Sequence, residues 1–351
     1  MWGSKGIMPL AVGFGEAEPP QICLEQQEIF MTNAIPLLST EEQVARLLAT
    51  PRPGAENILA YYEHRMGGIG KDPRLMLLPL DDHLAHRGDG VFETIKYIGG
   101  RLYQLHEHMQ RMQRSADSIF LAPPCSWEQI QELCLAVARH SGEQQGTLRV
   151  LLGRGPGGFG IAPSECPESS LYIIASRFTQ PTEAWYNAGV KGFRTTIPAK
   201  QSYLARIKNT NYLPNVLMMH EAKERGMDVP FCFDAEGFLA ESAVANICLV
   251  NREGVVEVPR FTNSLPGTTL LRAMALLEGK RQWVHRSIAE ADILKAEEVL
   301  MLGTGPECVA VVSYEGTPIG NGTPGETSRL MRALIHSDML ENGVPFAQGA
   351  V

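Results

Sequence analysis

The chain has few cysteines and no excess of positive charge, and each absence excludes a class of protein. Its seven cysteines are scattered over 351 residues without any CxxC pair, so we expect neither a disulfide framework nor a structural zinc site. The close histidine pairs at 83/86 and 106/108 have no third ligand at a recognisable spacing, so no metal site is predicted. With 39 acidic against 31 basic residues and a net charge of -8, the chain is not expected to bind nucleic acid.

Long apolar runs are also missing. No stretch approaches the ~18–20 residues that cross a bilayer, so no membrane partner is expected. The start, MWGSKGIMPLAVGFGEAEPP, lacks the charged beginning, long apolar centre and cleavage site of a signal peptide, and we therefore expect a cytoplasmic protein. The 44% hydrophobic and 20% charged content is typical of a soluble globular protein, and the length suggests two domains.

Composition and periodicity divide the chain into four parts. We expect an N-terminal extension at residues 1–70, a smaller α/β domain at 71–180, a linker at 181–187 and a larger β-rich domain with flanking helices at 188–345. In the extension, the capping box Ser39-Thr40-Glu41-Glu42 predicts a helix over Thr40–Ala49. Strands and helices are mixed rather than strictly alternating, which favours an α+β fold over a doubly wound sheet.

The two domains have distinct predicted elements. For the smaller domain we predict strands at 74–79, 91–98, 101–105, 147–152 and 170–178, with a turn at Gly99-Gly100 and helices from Leu105 and over Trp127–His140. For the larger domain we predict helices at 211–225, 268–280 and 325–341, a meander of strands at 230–234, 238–241, 245–250 and 255–258, and a strand at 297–303.

One motif is misleading. Residues 155–160, GPGGFG, satisfy the G-x-G-x-x-G pattern of a dinucleotide-binding turn and follow a predicted strand. That pattern requires a helix to begin at the last glycine, so that its N-terminus holds the pyrophosphate. Here Ile161-Ala162-Pro163 follows and no helical period begins, so we predict a flexible loop over a cleft and reject a nicotinamide site.

Six other patches indicate a different cofactor. They are HRGDGVFET at residues 86–94, HMQRM at 108–112 with Ser115-Ala116, KNTNYL at 208–213, AES at 240–242 with Asn246, LPGTT at 265–269, and GTG at 303–305. In this order and spacing, from about residue 75 to 340, they closely resemble the fold-type IV pyridoxal-phosphate enzymes, the class IV aminotransferases. That family includes branched-chain and D-amino-acid aminotransferases, and aminodeoxychorismate lyase is a related enzyme.

The resemblance implies that Lys208 is the catalytic residue, which forms a Schiff base with the aldehyde of pyridoxal 5'-phosphate and then moves a proton. Of nine lysines, Lys208 is the one followed by the Asn-Tyr-Leu stretch that marks this lysine in the family. Lys200, in Pro-Ala-Lys-Gln, is the competitor and lacks that stretch.

The resemblance also implies which residues bind the cofactor phosphate. Arg111, on the 108/111/115 face of its predicted helix, matches the family's phosphate arginine, and a phosphate dianion needs such a fixed cation. Thr268 and Thr269 follow Pro266-Gly267 where a helix is predicted to begin, with free amides pointing outward. Thr304 completes the phosphate site in the family.

Three further residues are implied at the cofactor ring. Glu241 matches the family glutamate that keeps the pyridine nitrogen protonated, because a nearby carboxylate stabilises the positive charge. Leu265 would lie against the ring face. Tyr212 would hydrogen-bond the phenolic oxygen of the cofactor, although a core tyrosine is a fair alternative.

Substrate choice is less well specified. The resemblance implies that Phe92, Arg149 and Gly305 contact the substrate, and Arg149 looks like an arginine of the branched-chain enzymes. Those enzymes usually have a tyrosine and a proline near it, where this chain has Thr147 and Val150. The Arg-x-His carboxylate clamp of bacterial D-amino-acid enzymes is absent from residues 157–162, and GRGPGGFG at 153–160 looks more like the lyase and plant-type D-amino-acid enzymes.

The predicted function is therefore a class IV aminotransferase acting on branched-chain L-amino acids or on D-amino acids. It would release one 2-oxo acid and then aminate a second in ping-pong order. An aminodeoxychorismate lyase-type enzyme is the alternative, although Asn211-Tyr212-Leu213 is the transaminase form of that motif. A non-catalytic cofactor-binding homologue ranks lower because Lys208 and Glu241 are both present. Family members are usually homodimers, so we expect a homodimer whose small-molecule partners are an amino acid and a 2-oxo acid.

Overall fold

A computed structural model describes residues 35–179 and 181–346, which form two β-sheets with helices packed against them. The strands that precede residue 180 are β1 (Ile58–Glu63), β2 (Gly68–Gly70), β3 (Gly90–Ile98), β4 (Arg101–Leu102), β5 (Gly146–Gly153) and β6 (Ser170–Ser176). Those that follow it are β7 (Val190–Arg194), β8 (Val229–Phe233), β9 (Leu239–Ser242), β10 (Asn246–Val250), β11 (Val256–Pro259), β12 (Trp283–Arg286), β13 (Glu298–Gly303), β14 (Glu307–Tyr314), β15 (Thr317–Pro318) and β16 (Val344–Pro345).

The first sheet has seven strands in the order β16-β4-β3-β5-β6-β1-β2, and its neighbouring strands are antiparallel. The second has nine strands, in the order β12-β11-β10-β13-β14-β7-β8-β9 with β15 paired to β14. Parallel pairs occur in it at β11/β12, β14/β7 and β7/β8. The α+β prediction is confirmed.

The helices are α1 (Thr40–Ala49), α2 (His83–His86), α3 (Leu105–Ser118), α4 (Trp127–His140), α5 (Glu183–Ala188), α6 (Ser202–Ala205), α7 (Leu213–Arg225), α8 (Thr268–Leu276), α9 (Glu290–Ile293) and α10 (Glu326–Asn342). The predicted capping box begins α1, where Ser39 and Glu42 bond each other's backbone amides. None of the helices in the described ranges is long and apolar enough to cross a membrane.

Alternation along β3 gives the strand two different faces. Ile95 and Tyr97 are fully buried in the first core cluster, where they lie with Met109 and Met112 of α3. We call the opposite face, formed by Phe92, Thr94 and Lys96, the site face of β3. Successive side chains of a strand point to opposite sides, so this one strand touches both a helical core and the region between the sheets.

The second sheet is covered on both faces. One face packs α8 and α10 against β10 and β13 in a cluster that includes Leu270, Met331 and Leu300. Alternate residues of the same strands, among them Ile247 and Met301, belong to a separate cluster on the other face. Burial on both sides explains why β8, β10 and β11 are apolar almost throughout rather than alternating.

Some predicted elements differ from the structure. The predicted strand at residues 74–79 is wrong, because Asp72 accepts from the Arg74 amide and Pro73 begins a 3₁₀ helix (Pro73–Leu75) there. Strands β1 and β2, within the expected extension 1–70, belong to the first sheet, and residues 1–34 lie outside the described residues. The expected linker 181–187 contains most of α5, with Tyr186 buried; the division into domains stays a prediction.

We predict that Ile95→Ala lowers the free energy of unfolding by about 2–5 kcal/mol, because it removes fully buried methyl groups and leaves a cavity. Urea unfolding followed by circular dichroism measures the change. Ile161→Ala is the matched control, since Ile161 is 82% exposed and its truncation should change stability by less than about 0.5 kcal/mol. Equal effects of the two substitutions would contradict this assignment of the core.

Candidate functional site

Lys208 is fixed to the edge of β3 by its backbone. The Phe92 amide donates to the Lys208 carbonyl at 2.9 Å, and the Lys208 amide donates to Ser115 Oγ on α3 at 3.1 Å. Its Nζ lies 4.5 Å from the centroid of the Phe92 ring and donates to the Tyr212 hydroxyl at 3.2 Å. The amine therefore has a defined position between two aromatic rings rather than extending into solvent.

Tyr212 takes its position from the beginning of α7. It is the N-cap residue, and the helix, which has a proline in its first turn, follows at once. Its ring packs edge-on against Phe92, with 4.9 Å between centroids, and Lys200 Nζ lies 4.5 Å from the centroid of the Tyr212 ring. Tyr212 thus contacts two lysine side chains, Lys208 and Lys200.

Two of the sequence patches meet beside this tyrosine. Asn211 Nδ2 donates to the Gly88 carbonyl at 2.9 Å, which joins the patch at 86–94 to the patch at 208–213. Gly88 has φ +64°, and a Cβ there would collide with the Asn211 side chain. Both the backbone conformation and the close approach therefore require glycine at this position.

Arg111 is held by a buried carboxylate. Glu93, fully buried on β3, accepts from Arg111 Nε and Nη2 at 2.7 Å each and lies 2.7 Å from His108 Nδ1. Burial alone would raise the pKa of the Glu93 carboxyl, but Arg111 and His108 hold it well below its ordinary value. Burial also lowers the pKa of His108, and Glu93 only partly opposes this.

The free edge of Arg111 faces the beginning of α8. Arg111 Nη1 lies 3.4 Å from the Pro266 carbonyl, and His108 Nε2 lies 3.3 Å from Thr268 Oγ1. Helix α8 has Gly267 as its N-cap, and among the described residues no side chain caps its first amides, those of Thr268 and Thr269 included. A guanidinium beside uncapped helix amides is an arrangement that binds a phosphate.

Glycine at position 267 has a steric cause. A Cβ there would collide with Asn246 Oδ1, so a larger residue would displace the Asn246 side chain. Asn246 Nδ2 also donates to the Leu265 carbonyl at 2.8 Å. Asn246 therefore holds the chain just before Pro266 and lies close to it at Gly267.

Glu241 is a second carboxylate in a very different environment. Its Oε2 accepts from the Leu265 amide at 3.0 Å. Burial raises its pKa to about 7, although the Leu265 amide and the charges of Lys200, Lys208 and Arg111 act in the opposite direction. A carboxylate poised near neutrality and surrounded by cations can hold a proton on a neighbouring basic nitrogen.

Arg149 supplies a guanidinium without a carboxylate partner. It lies opposite Thr94 in the β3/β5 register, and its guanidinium carbon is 5.1 Å from the centroid of the Phe92 ring. Among the residues that the structure describes, no acidic side chain forms an ion pair with it, and burial lowers its pKa. An unpaired, partly desolvated guanidinium is suited to bind an anionic ligand.

Thr304 and Gly305 lie in the turn between β13 and β14. Leu302, just before the turn, pairs with Asn246, and a Cβ at Gly303 would lie 3.4 Å from the Cβ of Ala245. This turn therefore adjoins the Asn246–Leu265 contact. Within the described ranges, no side-chain hydrogen bond joins Thr304 directly to the other predicted cofactor residues.

The structure thus forms two groups from the predicted residues. One group contains Lys208, Tyr212, Phe92 and Arg149, and the other contains Arg111, Thr268, Thr269, Leu265 and Glu241. Sequence reasoning had not assigned roles to Glu93, Ser115 and Lys200, which contact these groups. Glu93 and Ser115 were inside patches already singled out, so a search for partners of Arg111 and Lys208 within the patches would have found them.

The rejected dinucleotide motif forms a loop. No α-helix begins at Gly160, and the chain bends into a short 3₁₀ helix (Pro163–Glu165). His83 Nε2 lies 3.1 Å from the Gly158 carbonyl, and the guanidinium of Arg87 donates to the carbonyls of Phe159 and Gly160. The described residues also include no cluster of three or more His, Cys, Asp or Glu side chains that could hold a metal ion.

Comparison with solved structures gives the same fold. The Escherichia coli branched-chain amino acid aminotransferase superposes with a TM-score of 0.75 at 22% identity, covering 83% of this chain and 97% of that one. The branched-chain amino acid aminotransferase of Thermobaculum terrenum, in its PLP-form, gives a TM-score of 0.71 at 18% identity, covering 81% and 95%.

Comparison of sequences also finds aminotransferases that are similar to this chain. A D-amino-acid transaminase (chloroplastic) of Arabidopsis thaliana is 35% identical over 315 residues, which are 87% of this chain and 82% of that protein. The branched-chain-amino-acid aminotransferase of Escherichia coli (strain K12) is 28% identical over 269 residues, 72% of this chain and 85% of that protein. Residues 90–314 match the family described as Amino-transferase class IV. The chain therefore belongs to the class IV aminotransferases, a family of pyridoxal-phosphate-dependent transaminases.

Proposed function

We propose that this enzyme transfers the amino group of a D-amino acid to a 2-oxo acid, using pyridoxal 5'-phosphate. The observation that carries the proposal is the position of Lys208 Nζ, 3.2 Å from the Tyr212 hydroxyl and close enough to Glu241 to act on its pKa. The 35% identity to the Arabidopsis D-amino-acid transaminase and the loop at 153–160 support D-amino acids. Branched-chain L-amino acids are the second candidate, supported by Arg149 and by the fold.

The residues present fit this cofactor. Its phosphate would lie between Arg111 Nη1 and the uncapped amides of α8, because Nε and Nη2 of Arg111 are already bound to Glu93. Its pyridine nitrogen would face Glu241, and Leu265, whose amide donates to that carboxylate, would pack against the ring. When bound, pyridoxal 5'-phosphate supplies an aldehyde that condenses with amines and a ring that withdraws electrons from the α-carbon.

Glu241 has the electrostatic role. Without a ligand its carboxyl titrates near neutrality because it is buried. A protonated ring nitrogen beside it would favour the ionised carboxylate, as an opposite charge lowers the pKa of a buried acid. The proton would then remain on the nitrogen across the working pH range, where it keeps the ring electron-withdrawing.

Lys208 has the proton-transfer role. Its amine is confined between Phe92 and Tyr212, so once it is released from the cofactor it remains within reach of the substrate α-carbon. It would take the α-proton as a general base and return a proton as a general acid. The Tyr212 hydroxyl, 3.2 Å away, would orient the amine during both transfers.

Arg149 would bind the substrate carboxylate. It faces Phe92 beside Lys208 and has no ion-pair partner among the described residues. The 157–162 loop contains neither arginine nor histidine, so the loop cannot supply that charge itself. The cytoplasmic location and the homodimer stay predictions.

The first prediction concerns the amino donor and the role of Lys208. Purified enzyme with D-alanine should lose its visible cofactor absorption and release pyruvate, whereas L-leucine should react far more slowly. Lys208→Ala should reduce turnover by on the order of 10²–10⁴-fold, because it removes the acid–base group. Lys280→Ala, at an exposed lysine, is the matched control, and borohydride reduction followed by peptide mass spectrometry should place the cofactor on Lys208 rather than on Lys200.

Each alternative has its own result. Loss of the absorption with L-leucine alone would assign the enzyme to the branched-chain substrates. An unchanged absorption with both amino acids would contradict aminotransfer and favour the lyase reaction or a non-catalytic binder. Reduction that labels Lys200 instead of Lys208 would contradict the catalytic assignment.

The second prediction concerns the substrate carboxylate. Arg149→Met should raise KM for the amino donor by about 10- to 100-fold with a smaller change in kcat, because a charged hydrogen bond contributes about 1.5–3 kcal/mol. Steady-state kinetics with purified enzyme provide the measurement. Arg114→Met, on the exposed side of α3, is the control and should leave KM unchanged. An unchanged KM in Arg149→Met would place the carboxylate elsewhere.

The third prediction concerns the pH dependence of the cofactor-free protein. The folded pKa of Glu241, about 7, lies above its ordinary value of 4.5, so the folded state holds a proton that the unfolded state has released between these pH values. Stability should therefore fall as pH rises from about 4.5 to 7, by up to roughly 3 kcal/mol from this residue. Urea unfolding of wild type, Glu241→Gln and the exposed control Glu236→Gln tests this, and only Glu241→Gln should flatten the curve. The same slope in all three proteins would contradict the assignment.

A further inference from the structure

A buried ion pair connects the two sheets beside the site. Lys96 Nζ lies 2.6 Å from Glu307 Oε1, and the two side chains are only 1% and 3% exposed. The residues are 211 positions apart in sequence, one on β3 and the other at the beginning of β14. Removing two charges from water is costly, and a pair of apolar side chains would often stabilise a fold as well or better. The pair is therefore better explained by a requirement for position than by stability.

Lys96 belongs to the site face of β3. Phe92, which contacts Lys208 and Arg149, is on the same face. Lys96 Nζ also lies 4.8 Å from the centroid of the Phe178 ring. A group that is bound to Lys96 is therefore held in a fixed position relative to β3, the strand whose Phe92 contacts Lys208.

Glu307 comes directly after the turn at residues 304–306. Its φ is +59°, in the left-handed region that residues other than glycine rarely adopt. Such a conformation persists only where its surroundings hold it. Glu307 has this conformation where the turn ends, and the bond to Lys96 fixes its side chain.

The rest of the turn is held as well. Phe178 lies against Gly305, with its Cε2 3.8 Å from the position that a Cβ of Gly305 would occupy. Tyr186 donates to the Pro306 carbonyl at 3.2 Å. Phe178 therefore lies between the Lys96 ammonium and Gly305. The consecutive residues 305, 306 and 307 are each contacted by a different side chain, those of Phe178, Tyr186 and Lys96 in that order. Glu307 Oε2 also lies 3.5 Å from Nδ1 of the half-exposed His336.

We propose that Lys96 and Glu307 are positioning residues that hold the 304–306 turn against the site face of β3, so that Thr304 and Gly305 meet cofactor phosphate and substrate in one fixed geometry. The inference rests on the proposed function, because it assigns the turn a ligand. Neither side chain needs to touch that ligand. The pair acts through the turn.

The test compares Lys96→Met, Lys96→Arg and the double variant Lys96→Met/Glu307→Leu with wild type and with Lys280→Met, an exposed lysine control. The dissociation constant for pyridoxal 5'-phosphate is measured by fluorescence titration, KM and kcat with D-alanine or L-leucine by steady-state kinetics, and Tm by calorimetry. Lys96→Met should raise both the cofactor dissociation constant and KM by about tenfold or more, with a much smaller change in kcat at saturation. Lys96→Arg, which can keep the ion pair, should recover most of both.

The double variant separates position from stability. Two apolar side chains remove the unpaired buried charge, so Tm should return towards wild type, while the dissociation constant and KM stay high because no directional bond holds the turn. Recovery of Tm, dissociation constant and KM together would overturn the proposal, since the pair would then be replaceable packing. An unchanged dissociation constant and KM in Lys96→Met would overturn it too.

Failure of the proposed function would look different. Wild-type enzyme inactive with both amino acids, yet binding the cofactor, would refute aminotransfer from these two candidate donors. In that case the change in cofactor dissociation constant between wild type and Lys96→Met still decides the role of the pair. If Lys96→Met does not fold, the double variant and Lys96→Arg carry the comparison.

Discussion

The bond between Glu93 and Arg111 is the interaction on which the proposed cofactor-binding end of the site depends. Two of the three guanidinium nitrogens, Nε and Nη2, are bound to Glu93, so only Nη1 remains to face the beginning of α8. His108 bonds the same carboxylate and reaches Thr268 with its other ring nitrogen. Loss of one member of such a buried network leaves an uncompensated charge, which typically costs about 3–5 kcal/mol. The arginine is therefore a cation whose orientation is fixed before any phosphate arrives.

Two carboxylates of this site differ because their surroundings differ. Glu93 has a guanidinium and an imidazole within hydrogen-bonding distance, so it remains ionised although it is fully buried. Among the described residues, Glu241 has the Leu265 backbone amide as its hydrogen-bond donor and interacts with the nearby cations through space, so burial raises its pKa to about 7. One acid is a permanent structural anion, while the other can respond to the charge of a ligand. Environments that separate the pKa values of neighbouring acids are a common way to divide roles in enzymes.

Local signals in the sequence predicted the six longer helices and many of the strands, but not the short helices α2, α5, α6 and α9. The capping box of α1, the apolar periodicity of α3 and the proline in the first turn of α7 each depend on residues a few positions apart. The failure at residues 74–79 has the same local origin, because Asp72 and Pro73 form a capped 3₁₀ turn that an apolar run conceals. The pairing of Lys96 with Glu307 could not be predicted, since alternation along β3 shows that Lys96 faces the site but not what it meets 211 residues later. Lys200 was set aside for lacking the motif of Lys208, yet the fold places it over the Tyr212 ring.

The two faces of β3 have a consequence for how such an enzyme can change over evolutionary time. Residue 93 binds Arg111 and residues 95 and 97 belong to the helical core, whereas 92, 94 and 96 form the site face, where the proposed function places the substrate. A point substitution at Thr94, which lies opposite Arg149, would change the site face without touching the Arg111 anchor or the ion pair of Lys96. A single inserted or deleted residue would exchange the two sets and destroy both at once. The site face of β3 can thus change by such a substitution, but not by a change in the length of the strand.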